Sequence, residues 1–201
     1  MTDTHTPPPV PEGAEDLETK GIDVLIQTLH TSSEPAVREY AAYLLGKTKN
    51  PQVIRPLVEA LADIDKSVRE QAMLALVATG KAAIEPLTDA MKDPKWETRY
   101  RAAEALGKLA DENALKPLIQ GLRDSRDHVR YMAAKGLTGL GDTSAVDPLI
   151  ILLKDENPVV RKMSAKALSA IGGEKGKAAL MDAASKETDA SVREAMNAGL
   201  K

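Results

Sequence analysis

The residues able to do chemistry are few and widely scattered. The chain holds three histidines, His5, His30 and His128, and no cysteine. Disulfides and thiolate nucleophiles are therefore excluded. No nucleophile elbow is present, and Gly172-Gly173-Glu174-Lys175-Gly176 follows a helical pattern rather than a strand, so it reads as a connecting loop and not a phosphate cradle. We expect no enzyme activity, no cofactor and no metal.

Two other sets recur with a rhythm. Arg38, Arg69, Arg99, Arg130, Arg161 and Arg193 follow one another at nearly constant spacing, and Asp63, Asp93, Asp124 and Asp155 do the same. A row of arginines can bind phosphates. Repeated once per copy at one helical position, it more simply makes a ladder, each guanidinium held by an Asp and by loop carbonyls of its own or the adjacent copy. The aromatics form the second set: Tyr40, Tyr43, Tyr100, Tyr131 and Trp96, with no Phe.

The elements that must position these groups come from the same period. Val37, Val68, Thr98, Val129, Val160 and Val192 each precede a recurring Arg, in steps of 31, 30, 31, 31 and 32 residues. Such a period marks a stacked repeat array. Taking these residues as the index of each copy, Leu57, Leu87, Leu118 and Leu149 lie eleven before it, and Leu61, Met91, Leu122 and Leu153 seven before it. That four-residue step is the apolar face of a first helix, A. Asn50-Pro51 reads as its N-cap and first residue, with Asp111 and Asp142 as further caps. Pro56, Pro86, Pro117 and Pro148 should bend helix A near its first turn.

Helix B begins just before the index, with small or apolar residues at +4, +5 and +8, such as Ala102, Ala103 and Leu106. Alanine there permits close helix approach. Gly80, Gly141 and Gly172 mark its ends. No hairpin buries its own face, so neighbours bury it jointly. The boundaries are about 21–49, 50–80, 81–110, 111–141, 142–173 and 174–201, the first and last being atypical.

Charge sets limits on partners. Net charge is −3, and residues 1–20 carry Asp3, Glu12, Glu15, Asp16 and Glu18 against Lys20. The array is thus nearly neutral, which argues against nucleic acid. The Pro-rich, acidic stretch 1–20 is expected to be a disordered tail. Its Pro7-Pro8-Pro9-Val10-Pro11 run favours polyproline II. No membrane span and no secretory signal are read, so the expected compartment is the cytoplasm.

The pattern Pro86-Leu87, Asp93, Thr98-Arg99 and Ala102 through Gly107 resembles the HEAT repeat, in the short form known from phycobilisome lyases. The resemblance spans residues 21–201. It implies an all-α fold, an α-solenoid with a right-handed superhelix of six hairpins, and a structural role for the Arg/Asp ladder. It also implies that the B helices line a concave side. The HEAT-like deoxyhypusine hydroxylases use paired His-Glu steps for iron, and none of the three histidines here is followed by Glu.

On that expected concave face stand the B-helix positions +2, +3, +6 and +10. All four tyrosines fall there and Trp96 sits at the rim. Tyr, Trp, Met and Arg are the types enriched at protein interfaces. The expected partner-binding set is Tyr40, Tyr43, Trp96, Tyr100, Arg101, Tyr131, Met132, Lys135, Met163 and Lys166. Early copies offer Glu39 and Glu70, and later ones Lys108, Lys135, Lys162 and Lys166. The expected function is a non-catalytic scaffold for a protein or peptide with an acidic segment. The alternative is a lyase or modification enzyme on the same scaffold, or its subunit, and nucleic-acid binding stands third.

Overall fold

Proline decides how each A helix begins. Where the recurring proline is present, the helix opens as a 3-10 turn: Pro51–Val53, Gly80–Ala83, Glu112–Ala114 and Thr143–Ala145. Each turn runs into a seven-residue α segment: α3 (Ile54–Ala60), α5 (Ile84–Ala90), α7 (Leu115–Gly121) and α9 (Val146–Leu152). The two A helices without the proline, α1 (Ile22–Thr31) and α11 (Gly173–Lys186), are continuous. The ring lacks an N–H and presses on the carbonyl four residues back, which falls in that opening turn. The bend expected from the prolines thus takes the form of a change in helix type.

The B helices are α2 (Pro35–Lys47), α4 (Lys66–Thr79), α6 (Trp96–Leu109), α8 (Asp127–Leu140), α10 (Pro158–Ile171) and α12 (Ala190–Ala198). Side-chain caps set the starts. Asn50, Asp111 and Asp142 accept from the N–H two residues on at the A helices, and Asp65, Asn157 and Asp189 do so at B helices. Left-handed residues set the ends of α4 and α8 at Gly80 (φ 64°) and Gly141 (φ 69°). α10 stops at Gly172, but the left-handed residue there is Gly173 (φ 52°). α6 has no glycine available, and Ala110 takes the left-handed conformation instead (φ 50°).

The structure, a computed structural model, describes residues 7–200. It is all-α, an α-solenoid of paired helices that groups into two compact units, Met1–Ala90 and Met91–Lys201. In the first unit α1 packs on α2 and α3 on α4, with α2 lying along α4 and α3 bridging α1 and α5. In the second, α7 packs on α8, α9 on α10 and α11 on α12, and the B helices α6, α8, α10 and α12 follow side by side. The cores are leucine and alanine: Leu45, Leu57, Leu61 and Leu76 in the first unit, Leu106, Leu118, Leu137, Leu149 and Leu168 in the second.

Glycine permits the closest B–B approaches. A Cβ on Gly107 would lie 2.7 Å from the Gly136 backbone, and one on Gly46 only 2.6 Å from the Ala75 Cβ. Position +9 of one copy therefore faces +7 of the next.

The expectation of disorder over 1–20 does not hold for the described part. Ala14 and Leu17 are buried, and Leu17–Thr19 forms a 3-10 turn. The tail's mean composition hid two small apolar anchors three residues apart. Residues 1–6, including His5, lie outside the described residues. Among the described residues no helix is long and apolar enough to cross a membrane.

Candidate functional site

The recurring arginines are built into the joints between copies. Arg38 donates from Nε and Nη2 to both oxygens of Asp63 at 2.8 Å, and its Nη1 donates to the carbonyls of Ser32 and Ser33. Arg99 holds Asp124 at 2.7 and 2.8 Å, and Arg130 holds Asp155 at 2.7 and 2.9 Å, each again reaching its own A–B loop. So the carboxylate comes from the following copy and the carbonyls from the arginine's own. Arg69 donates to the carbonyls of Asp63 and Ile64, while Asp93 offers its carbonyl to Arg99 and its carboxylate to the Lys95 N–H.

A member that the sequence search missed completes the row. Arg161 holds Glu187 at 2.7 and 2.9 Å. Glu187 lies five before Val192, the same position as the aspartates, but a search keyed to Asp passes over it. Arg193 in turn donates to the Glu187 carbonyl.

Each carboxylate also accepts the backbone N–H two residues on. Burial pushes the Asp63 and Asp124 carboxyls up, but the guanidinium and the backbone N–H outweigh it and hold both below the usual range. At Glu187 the Arg161 hydrogen bond is the leading effect and the shift is also downward. Arg38, Arg99, Arg130 and Arg161 each commit all three guanidinium nitrogens to these bonds.

The outward face of the B helices is narrower than the sequence suggests. At 100° per residue, +2 and +6 point away from the core centred on +4 and +8, whereas +3 is turned by a further 60° toward the preceding copy. That shoulder is covered. Tyr40, Gln71, Met132 and Met163, all at +3, are buried, so Tyr40, Met132 and Met163 leave the expected contact surface. Arg101, also at +3, is half-buried and pairs with Glu104 at 3.0 Å.

What remains open falls in two places. In the first unit Tyr43 is half-buried, stacks on Tyr40 at 6.1 Å and carries Lys47 Nζ 5.2 Å above its ring. In the second unit α6 and α8 gather a larger aromatic group. Trp96 meets Tyr100 edge-on at 6.5 Å, Arg101 stands 5.0 Å over the Tyr100 ring, and His128 lies 5.0 Å from Trp96. Burial first, then Glu104, raises the Tyr100 hydroxyl, with Arg101 opposing. Tyr131 is half-buried, while Lys108, Lys135 and Lys166 are exposed and Lys162 half-buried.

His128 was not among the expected contact residues. Its Nδ1 lies 2.7 Å from Asp127 Oδ1, and Asp127 also accepts from Asn157. Its signal in the sequence is position: both it and Trp96 stand at the start of a B helix. Among the described residues, no three His, Cys, Asp or Glu side chains gather where they could hold a metal ion.

Comparison with known proteins places these features. The family described as HEAT repeats matches residues 22–107, 79–129 and 115–201. No curated protein sequence matches the chain. Among solved structures, the complex of CpcE and CpcF of phycocyanin lyase from Nostoc sp. PCC7120 is similar at a TM-score of 0.70 and 20% identity, over 76% of this chain and 100% of that one. Human deoxyhypusine hydroxylase is similar at 0.52 and 28%, over 89% and 72%. A designed armadillo repeat protein in complex with the peptide (KR)4 is similar at 0.58 and 21%, over 90% and 98%.

Proposed function

This chain belongs to the HEAT repeat family, and from that premise we propose that it is a non-catalytic scaffold that binds a protein or peptide along the outward face of its B helices. The observation that carries this reading is the group on α6, α8 and α10. Aromatic rings are partly exposed there beside a run of cations. Among the described residues Lys108, Lys135, Lys162 and Lys166 make no ion pair, and Arg101 is the one cation of the face neutralised, by Glu104. An acidic segment fits such a surface, because complementary charge sets register and association rate. A neighbouring fold of similar size holds a basic peptide. The same mode of binding with opposite charge is what this face supports. The contact residues in the second unit are Trp96, Tyr100, Arg101, Tyr131, Lys135 and Lys166, with His128 added.

The test is affinity capture from native extract with wild type and Tyr100→Ala/Tyr131→Ala, followed by titration of the captured partner. The double change should weaken binding by at least tenfold, since aromatic anchors at interfaces are worth about 2 kcal/mol or more when central. Undiminished affinity rejects the face. Binding should also weaken as salt is raised, and salt-independent binding rejects the acidic partner.

A further inference from the structure

Among the described residues α2 is the first B helix, yet its shoulder is closed. Position +9 of one copy faces +7 of the next, so the +7 side, with +3 beside it, faces the preceding copy. For α2, no earlier hairpin among the described residues covers that side. Tyr40 nevertheless retains only 1% of its surface exposed. Its hydroxyl donates to Glu18 Oε1 at 2.6 Å, across 22 residues of chain. Ala14 at 1% and Leu17 at 7% are buried in a segment whose other residues are mostly exposed.

The segment has a shape of its own. Gly13 turns it in the left-handed region at φ 77°, and its N–H donates to Glu15. The Ala14 and Leu17 N–H groups donate to the carbonyls of Pro11 and Ala14, and Lys20 pairs with Asp16 at 2.7 Å. A small residue, a leucine three further on and a carboxylate next to it thus form one compact docking pattern. On the receiving side are a phenol donor at Tyr40, the stacked ring of Tyr43 and the cation of Lys47 above that ring.

We propose that the open shoulder of α2 is a peptide-docking site held closed by residues 11–20, and that an external acidic segment of the same small-x-x-Leu-Glu pattern takes the place of those residues when they are released. This site lies in the first unit and goes beyond the face proposed above. Tyr100 and Tyr131 take no part in it, so the two can fail independently.

The experiment uses the full chain. Leu17→Asp/Glu18→Gln removes both anchors and frees the shoulder. The probe is a fluorescein-labelled, end-capped peptide with the sequence of residues 11–20, followed by fluorescence polarisation. A site occupied in cis reduces apparent affinity by the fraction of time it stands open, so the released variant should bind at least about tenfold tighter than wild type. A probe with Glu18→Gln should bind more weakly than the unaltered probe. Equal binding to both proteins overturns the proposal, as does absence of binding to a released variant of native helicity. Formation of a dimer in place of peptide binding also overturns it, because the shoulder would then be a stacking edge.

Glu18→Gln alone keeps the proposal testable if the double variant fails to fold. It should raise probe affinity above wild type. The Tyr40 hydroxyl is pushed up to about 12, first by its bond to Glu18 and then by burial. In an alkaline ultraviolet titration the Tyr40 hydroxyl should therefore ionise late in wild type, and earlier in Glu18→Gln. A late-ionising component left unmoved by Glu18→Gln, or none at all in wild type, would show that the contact does not form.

Discussion

Arg38, Arg99, Arg130 and Arg161 each serve two copies at once, and this fixes how they respond to substitution. Arg130 retains little exposure and holds Asp155, the carbonyls of Asp124 and Ser125, and more loosely Glu156. Arg130→Ala leaves a mostly buried carboxylate without its partner, and should cost roughly 2–4 kcal/mol by urea denaturation. Removing Asp155 as well should cost less than the two single losses together, because the second change deletes the stranded charge. The same groups set an acid limit. Asp63, Asp124 and Glu187 are held below the usual carboxylate range in the folded chain. Their stabilising contribution is complete above the ordinary value near pH 4 and is lost as pH falls through the lowered folded values. The thermal midpoint should therefore fall as pH is lowered below about 4, and Asp124→Asn should flatten that fall. Tyr40 works in the other sense. Its pKa is raised in the folded chain, so its contribution is complete below about pH 10 and declines as pH rises toward 12.

Within the helices, the sequence carries what repeats and loses what does not. The prolines, caps and glycine ends are legible because each acts on its own turn of backbone. The B-helix face was legible as a set of columns, but not its width. Helical spacing places Tyr40 and Tyr43 on one side, and only the presence of neighbours shows that the +3 shoulder at Met132 and Met163 is closed. Glu187 was hidden by chemistry-for-chemistry matching, since one added methylene kept the charge and changed the letter. Ala110 marks a position where the local rule is broken. It is exposed and left-handed, a conformation costing roughly 1 kcal/mol for alanine. Ala110→Gly should be neutral to stabilising by up to about 1 kcal/mol, read as a rise in thermal midpoint. A fall would mean that the Ala110 methyl packs where the geometry leaves it open.

For the molecule as a whole, a quasi-one-dimensional core makes stability local. Each hairpin gains mainly from its immediate neighbours. The last one, α11 with α12, buries Leu180, Ala184, Val192 and Met196, fewer large side chains than the pair α7 and α8. Amide exchange followed by mass spectrometry should show α11 and α12 opening before α8 and α10. Uniform protection across the second unit would indicate that this unit unfolds as one body. The fold class was readable at this scale from period alone. The docked segment was not, since residues 1–20 average to a polar, acidic composition that hides Ala14 and Leu17, and the Tyr40–Glu18 bond joins positions 22 residues apart.

The joint described for Arg99, Arg130 and Arg161 has a consequence for growth by duplication. Each of these clasps takes its base from one copy and its acid from the next, and the copies 111–141 and 142–173 carry both halves. A second tandem copy of residues 111–141 would therefore arrive with its own Asp124 equivalent for the arginine before it and its own Arg130 equivalent for the acid after it. Such a cassette lengthens the array without any change to its flanks. A chain of this kind can gain or lose reach in steps of one hairpin.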